Sequence, residues 1–128
     1  MMTKSGLILL AGALAGLSGV ILAALGSHMV PGLDELAKYK SWQAANNMHL
    51  LHAVVLLFLA LLHRGSGDRM IFVSSLVILL GVVLFSGSIY LSLMASMAGA
   101  TRVAPVGGLL LMLGWLLLAV HALRKSKL

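Results

Sequence analysis

Residues 5–27, SGLILLAGALAGLSGVILAALGS, run twenty-three positions without an ionisable side chain. A hydrocarbon core of about 30 Å is crossed by roughly 20 apolar helical residues, so this stretch alone is long enough to span a bilayer. Three apolar runs of similar length follow, at about 42–63, 70–95 and 105–122. No water reaches that depth to satisfy backbone N–H and C=O groups, so each run is expected to be an α-helix. The fold class is therefore all-α: a single domain over residues 1–128, built as an integral membrane bundle of four transmembrane helices with a short outer interfacial segment between the first two. Lys4 and the small residues Ala23, Ala24 and Gly26 imitate a signal peptide around the first run. A signal core spans only about 7–15 residues, so this run is expected to stay as the first membrane helix.

Composition agrees. Hydrophobic residues make up 61% of the chain and charged ones 9%, against about 25% charged in soluble domains. The four runs use most of the 128 residues, leaving no soluble catalytic domain. The net charge of +6 does not point to nucleic acid, because the basic residues sit at helix ends instead of forming a stripe interleaved with aromatics. The absence of cysteine removes disulfides, thiolate nucleophiles and iron–sulfur ligation.

Basic residues set the expected orientation, since cytoplasmic loops carry the excess of Lys and Arg. One side of the membrane holds both termini and the loop 64–69, with Lys4, Arg64, Arg69, Arg124, Lys125 and Lys127; the other holds Lys38, Lys40 and Arg102, offset by Asp34 and Glu35. A multi-pass protein of a bacterial-type plasma membrane with both termini cytoplasmic is the expectation. Loop 64–69 is short and polar, making the second and third helices antiparallel neighbours. Pro31 and Gly32 are expected to break the first helix, and residues 33–40 to form a short interfacial helix with Trp42 as an aromatic anchor. Residues 96–104 read as a loop of small residues, and Pro105 suits the first turn of the fourth helix.

Leucine gains little by leaving lipid tails for another leucine, so membrane helices associate where small residues let backbones approach. Gly12 and Gly16 form a GxxxG pair, and Ala15 with Gly19 repeats the small-xxx-small spacing on an adjacent face; Gly81 and Gly87, then Gly107, Gly108 and Gly114, supply further contact points. Packing within the bundle and a homodimer through the first helix are the two readings of this pattern. The lipid bilayer is the expected environment, with a homo-oligomer or a larger membrane complex as the partner class.

No Asp or Glu lies inside any span, which disfavours cation-coupled export through a membrane carboxylate. Histidine takes its place. Trp42, Ala45, His49 and His52 share a stripe by their three- and four-residue spacing, with Asn46 at its margin. His28, Ser86, Ser88 and Tyr90 lie on the same side of the membrane, and all these polar groups are expected to converge. Three explanations compete for the cluster: an interhelical hydrogen-bond network; ligation of a metal or haem by His49 and His52 with nearby Met48, Met94 or Met97; or a proton or small-solute path through a titrating His52. His63 and His121, at the cytoplasmic helix ends, are explained by snorkelling or a helix-terminus interaction. Trp115 reads as filling the space left by Gly114. No phosphate loop, zinc-protease pair or nucleophile triad is present, so no catalytic residue, metal site or cofactor is assigned.

The motifs Ala23–His28 (AALGSH), Trp42–Ala45 (WQAA) leading to His52–Ala53, Phe85–Tyr90 (FSGSIY), Pro105–Gly108 (PVGG) and Gly114–Trp115 together resemble the YgdD/YwdK-like family of small four-helix inner-membrane proteins, catalogued as a domain of unknown function. The resemblance covers nearly the whole chain, in order. His28, His52, Ser86, Gly87, Ser88 and Tyr90 match its pattern; Ala23, Leu25, Ser27, Met48 and His49 depart from it. It implies a fold and a membrane location without an established activity. The expected function is that of a non-enzymatic structural or accessory membrane protein, with binding or transport of a proton, metal or small solute as the alternative.

Overall fold

The computed structural model describes residues 1–28 and 35–126, and every regular element among them is helical. Helices α1 (Lys4–His28), α2 (Leu36–Ser66), α3 (Arg69–Met94) and α4 (Ala104–Lys125) are each long and apolar enough to cross a membrane. Pro31, Gly32, Leu33 and Asp34 of the expected break and interfacial piece, and Lys127 of the basic count, lie outside the described residues.

Two connections differ from expectation. Leu36–Lys40 are not a separate interfacial helix but the first turns of α2, because neither glycine nor proline interrupts the chain between them and Trp42. Residues 98–103 form a 3-10 helix instead of a loop, and it hands the chain directly to α4, with Pro105 in the opening turn. The α2–α3 turn is tighter than the six residues allotted to it. Gly67 takes the left-handed conformation (φ 64°) that caps α2 through a 2.7 Å bond from its N–H to the His63 carbonyl. Asp68 then caps α3 by accepting the Met70 N–H at 2.8 Å.

The helices pack in chain order: α1 on α2, α2 on α3 and α3 on α4. Among the described residues α4 has no close backbone approach to α1 or α2, and α1 meets α3 only lightly. Helices α2 and α3 therefore form the buried centre and α1 and α4 the edges. One apolar cluster joins Ile8, Leu56, Leu59, Ile71, Ile78 and Leu111; a second, at the other end, joins Trp42, Ala45 and Tyr90. Trp42 is not an outward-facing anchor: it is 4% exposed, its ring lying edge-on to Tyr90 at 5.0 Å between centroids.

Glycines decide the contact faces. Along α1, Gly12, Gly19 and Gly26 recur every seven residues and all face α2. A methyl at Gly12 would sit 3.1 Å from the Leu57 nitrogen, one at Gly19 would sit 3.0 Å from Leu50 Cγ, and one at Gly26 would enter the Trp42 ring. Gly81, Gly107 and Gly114 do the same between α3 and α4, against the Leu111 backbone, the Phe85 backbone and the Ile78 side chain. Ile78, and not Trp115, fills the space left by Gly114. Gly16, Gly87 and Gly108 are not tight packing points: the nearest neighbour of a methyl at Gly16 is 4.0 Å away and at Gly108 3.9 Å, while Gly87 has none within 4 Å. Gly12 of the GxxxG pair is thus used inside the molecule.

At the end carrying both termini, two links tie the helices. Ser5 Oγ lies 2.8 Å from Nδ1 of His63, which is buried and not snorkelling. Asp68 Oδ2 faces His121 Nδ1 at 3.5 Å and Lys125 Nζ at 3.7 Å. The Met70 N–H first, then His121 and Lys125, hold the Asp68 carboxyl below the usual carboxylate range.

Because overpacking a close backbone contact costs about 1–3 kcal/mol, Gly107→Leu should lower the unfolding free energy in mixed micelles by that amount, whereas Gly87→Leu should leave it within about 0.5 kcal/mol; equal losses would contradict the assigned faces. Since the folded-state pKa of Asp68 is depressed, its stabilisation is present above the unfolded carboxylate value of about 4 and lost as pH falls through the folded value. A pH titration of wild type should show this acid-side loss, and Asp68→Asn should lack that part of it.

Candidate functional site

Near the Trp42 end, the polar residues of α1, α2 and α3 form one chain of hydrogen bonds. Asn46 Nδ2 donates to the Gly19 carbonyl at 2.9 Å and to Tyr90 Oη at 3.3 Å. Having accepted that hydrogen, the phenol donates its own to His49 Nδ1 at 3.2 Å. The other ring nitrogen, Nε2, lies 3.2 Å from Ser18 Oγ, and the Ser18 hydroxyl donates to the carbonyls of Leu14 (2.9 Å) and Ala15 (3.1 Å). With Nδ1 accepting, the proton of the neutral imidazole sits on Nε2 and is given to Ser18. Burial explains why the chain is complete, since an unmade hydrogen bond at this depth costs more than in water: Asn46 and His49 are each 8% exposed and Tyr90 6%.

His52 sits one turn along α2 but turns to a different helix. Its Nδ1–H donates to the Met48 carbonyl at 2.7 Å, and its Nε2 accepts the indole N–H of Trp115 at 3.1 Å. The neutral tautomer here is Nδ1–H, the reverse of His49. The 70° crossing of the two rings, 6.2 Å apart, makes this the side-chain link from α2 to α4, whose backbones do not approach.

The expected cluster is therefore redrawn. Asn46, His49 and Tyr90 come together, and Asn46 is central instead of marginal. Ser86 packs beside them, its hydroxyl donating to the Ala45 carbonyl at 2.7 Å across the α2–α3 contact. Ser88 is satisfied within its own helix by the Phe85 carbonyl at 2.9 Å and takes no part. His28 does not join either: it is exposed as the last residue of α1, ten residues and roughly 15 Å along the helix from Ser18. His52 belongs to a separate pair. Ser18, the partner of His49, is absent from the expected cluster although it is a lone hydroxyl in the middle of an apolar span, and Trp115, expected only to fill space beside Gly114, is the partner of His52.

All four ring nitrogens of His49 and His52 are engaged, with different helices, so the two residues do not present a joint ligand face. Among the described residues no three His, Asp or Glu side chains are grouped as metal ligands would be. The hydroxyl of Ser74, wholly buried in α3, is the buried side-chain oxygen without a partner among the described residues.

The family described as a protein of unknown function, DUF423, matches residues 22–108, which hold Asn46, His49, His52 and Tyr90 but neither Ser18 nor Trp115. A UPF0382 membrane protein of Staphylococcus haemolyticus is 33% identical over 92% of this chain and 96% of its own length. The UPF0382 inner membrane protein YgdD of Escherichia coli is 30% identical over 94% and 92%, and the UPF0382 membrane protein YwdK of Bacillus subtilis 28% over 88% and 93%. No solved structure matches.

Proposed function

The chain belongs to the DUF423 family and is a relative of UPF0382 membrane proteins, and from that premise we propose that it acts as a non-catalytic structural or accessory membrane protein. The observation that carries this reading is the closed hydrogen-bond chain. It has the directionality of a proton relay, from the Asn46 amide through Tyr90 and His49 to Ser18, but both ends are blocked. Asn46 has no acid proton to feed in, and the Leu14 and Ala15 carbonyls cannot pass one on. Such a chain fixes the rotation of three helices about their axes, which glycine contacts alone leave loose. The His52–Trp115 pair does the same for α4. Charge supports the orientation: Lys4, Arg64, Arg69, Arg124 and Lys125 share the end at which Ser5 meets His63 and Asp68 meets Lys125, opposite Lys38, Lys40 and Arg102. By the excess of Lys and Arg on cytoplasmic loops, this distribution supports the reading that both termini are cytoplasmic.

If the chain is structural, Tyr90→Phe, which removes both the donor to His49 and the acceptor for Asn46, should lower the unfolding free energy by about 0.6–2 kcal/mol. Proteoliposomes of wild type loaded with a pH dye should then leak protons no faster than empty liposomes. A proton flux that Tyr90→Phe or His49→Gln abolishes would overturn the structural reading in favour of transport. For the orientation, a green fluorescent protein fused after Leu128 should fluoresce and alkaline phosphatase at the same place should be inactive; the reverse pattern would invert the topology.

A further inference from the structure

At the end carrying both termini, α1 begins beside the last turns of α2, and the notch between them is a pocket of about 440 Å³ with a mixed lining. Thr3, Ser5 and Arg64 lie toward the helix ends, and Leu9 and Leu61, 49% and 63% exposed, lie deeper along the span. Arg64 is the cation of this lining, and nothing among the described residues uses its charge. It is not needed to cap its own helix: the carbonyls of Leu62 and His63 already accept the Ser66 hydroxyl at 2.9 Å and the Gly67 N–H at 2.7 Å. Asp68, the one carboxylate at this end among the described residues, is taken by the Met70 N–H, His121 and Lys125. Lys4 is turned toward α3, its Nζ 5.2 Å from the centre of the Phe72 ring. Thr3 supplies a second donor: its oxygen accepts the Gly6 N–H at 3.0 Å, while its own hydrogen is given to no described residue.

We propose that this notch binds an anionic glycerophospholipid, its phosphate held by Arg64 and Thr3 and an acyl chain laid along Leu9 and Leu61. The planar fork of a guanidinium matches two phosphate oxygens at once, and the Thr3 hydroxyl adds a third hydrogen. The two halves of the lining select the source of the phosphate: an ion carried on a hydrocarbon chain gains from Arg64 and from the leucines together, whereas a free phosphate gains from the rim alone and stays better solvated in water. The missing carboxylate selects the head group. Phosphatidylethanolamine brings an ammonium beside its phosphate, and no acid lines the pocket to receive it; phosphatidylglycerol brings the same phosphate with neutral hydroxyls. A lipid seated there spans the start of α1 and the end of α2, next to the Ser5–His63 link. The inference stands apart from the non-catalytic reading, since a structural protein and a transporter can each hold a lipid.

The test titrates the purified full chain in mild detergent with dioleoyl phosphatidylglycerol or dioleoyl phosphatidylethanolamine and reads each bound lipid by native mass spectrometry. The first phosphatidylglycerol should bind roughly tenfold more tightly than phosphatidylethanolamine. Arg64→Gln should remove that preference while the unfolding transition stays in place, and Thr3→Ala should weaken phosphatidylglycerol several-fold. Arg124→Gln takes a cation from the same end but from α4, whose backbone does not approach α1 or α2, so it should leave the preference unchanged. Equal binding of the two lipids by the wild type would mean an ordinary lipid annulus and overturn the proposal. Equal losses in Arg64→Gln and Arg124→Gln would overturn it in favour of diffuse attraction to a basic end. Displacement of the lipid by millimolar inorganic phosphate would overturn it in favour of a small-anion pocket.

Discussion

Backbone proximity is the constraint on which this molecule depends. In water a helix is recruited to its neighbour by burying apolar surface; in lipid that gain disappears, and what remains is van der Waals contact and the hydrogen bonds that close approach allows. The glycines at 12, 19 and 26 set α1 on α2, and those at 81, 107 and 114 set α3 on α4. Asn46 reaches the Gly19 carbonyl because Gly19, with no side chain to strike Leu50, lets α1 and α2 approach closely there. The same glycines thus position the polar chain, and loosening them would separate Ser18 from His49.

The two central histidines show how neighbouring residues on one helix acquire separate roles. His49 and His52 are three positions apart, yet they settle into opposite tautomers because their partners differ: a phenol that must donate to one, and an indole that must donate to the other. Neither meets a carboxylate, and both are satisfied as neutral rings. Their chemistry is that of orienting struts, one binding α1 to α3 through α2, the other binding α4 across a gap the backbones leave open.

Helix number, type and approximate limits were legible because hydropathy over a span-length window responds to the bilayer alone. The convergence of Asn46, His49 and Tyr90 was legible from depth and helical spacing. Depth does not report azimuth, however, and that is why His28 and Ser88 were placed in a group they do not join. Trp42 read as an interfacial anchor because its level in the membrane is right for one, while its inward rotation follows from Gly26 and Tyr90 on other helices. The GxxxG pair was equally ambiguous: the seven-residue recurrence of Gly12, Gly19 and Gly26 marks the face that α2 uses, and Gly16 falls at its margin. His49 departs from the family pattern and still occupies the centre of the network, so a resemblance in motifs was a poor guide to which side chain the fold would employ.

Packing in chain order has a consequence for how the protein is made. Each helix after the first packs on the one that precedes it, and no close backbone contact among the described residues joins the first helix to the last. Contacts between sequence neighbours form early and carry a small loop-closure cost. As the ribosome feeds segments into the bilayer, α1 and α2 have their matching surfaces complete before α3 has emerged, and α4 docks on a partner already in place. Assembly can therefore proceed by accretion, helix after helix, without any segment waiting for a distant one to arrive.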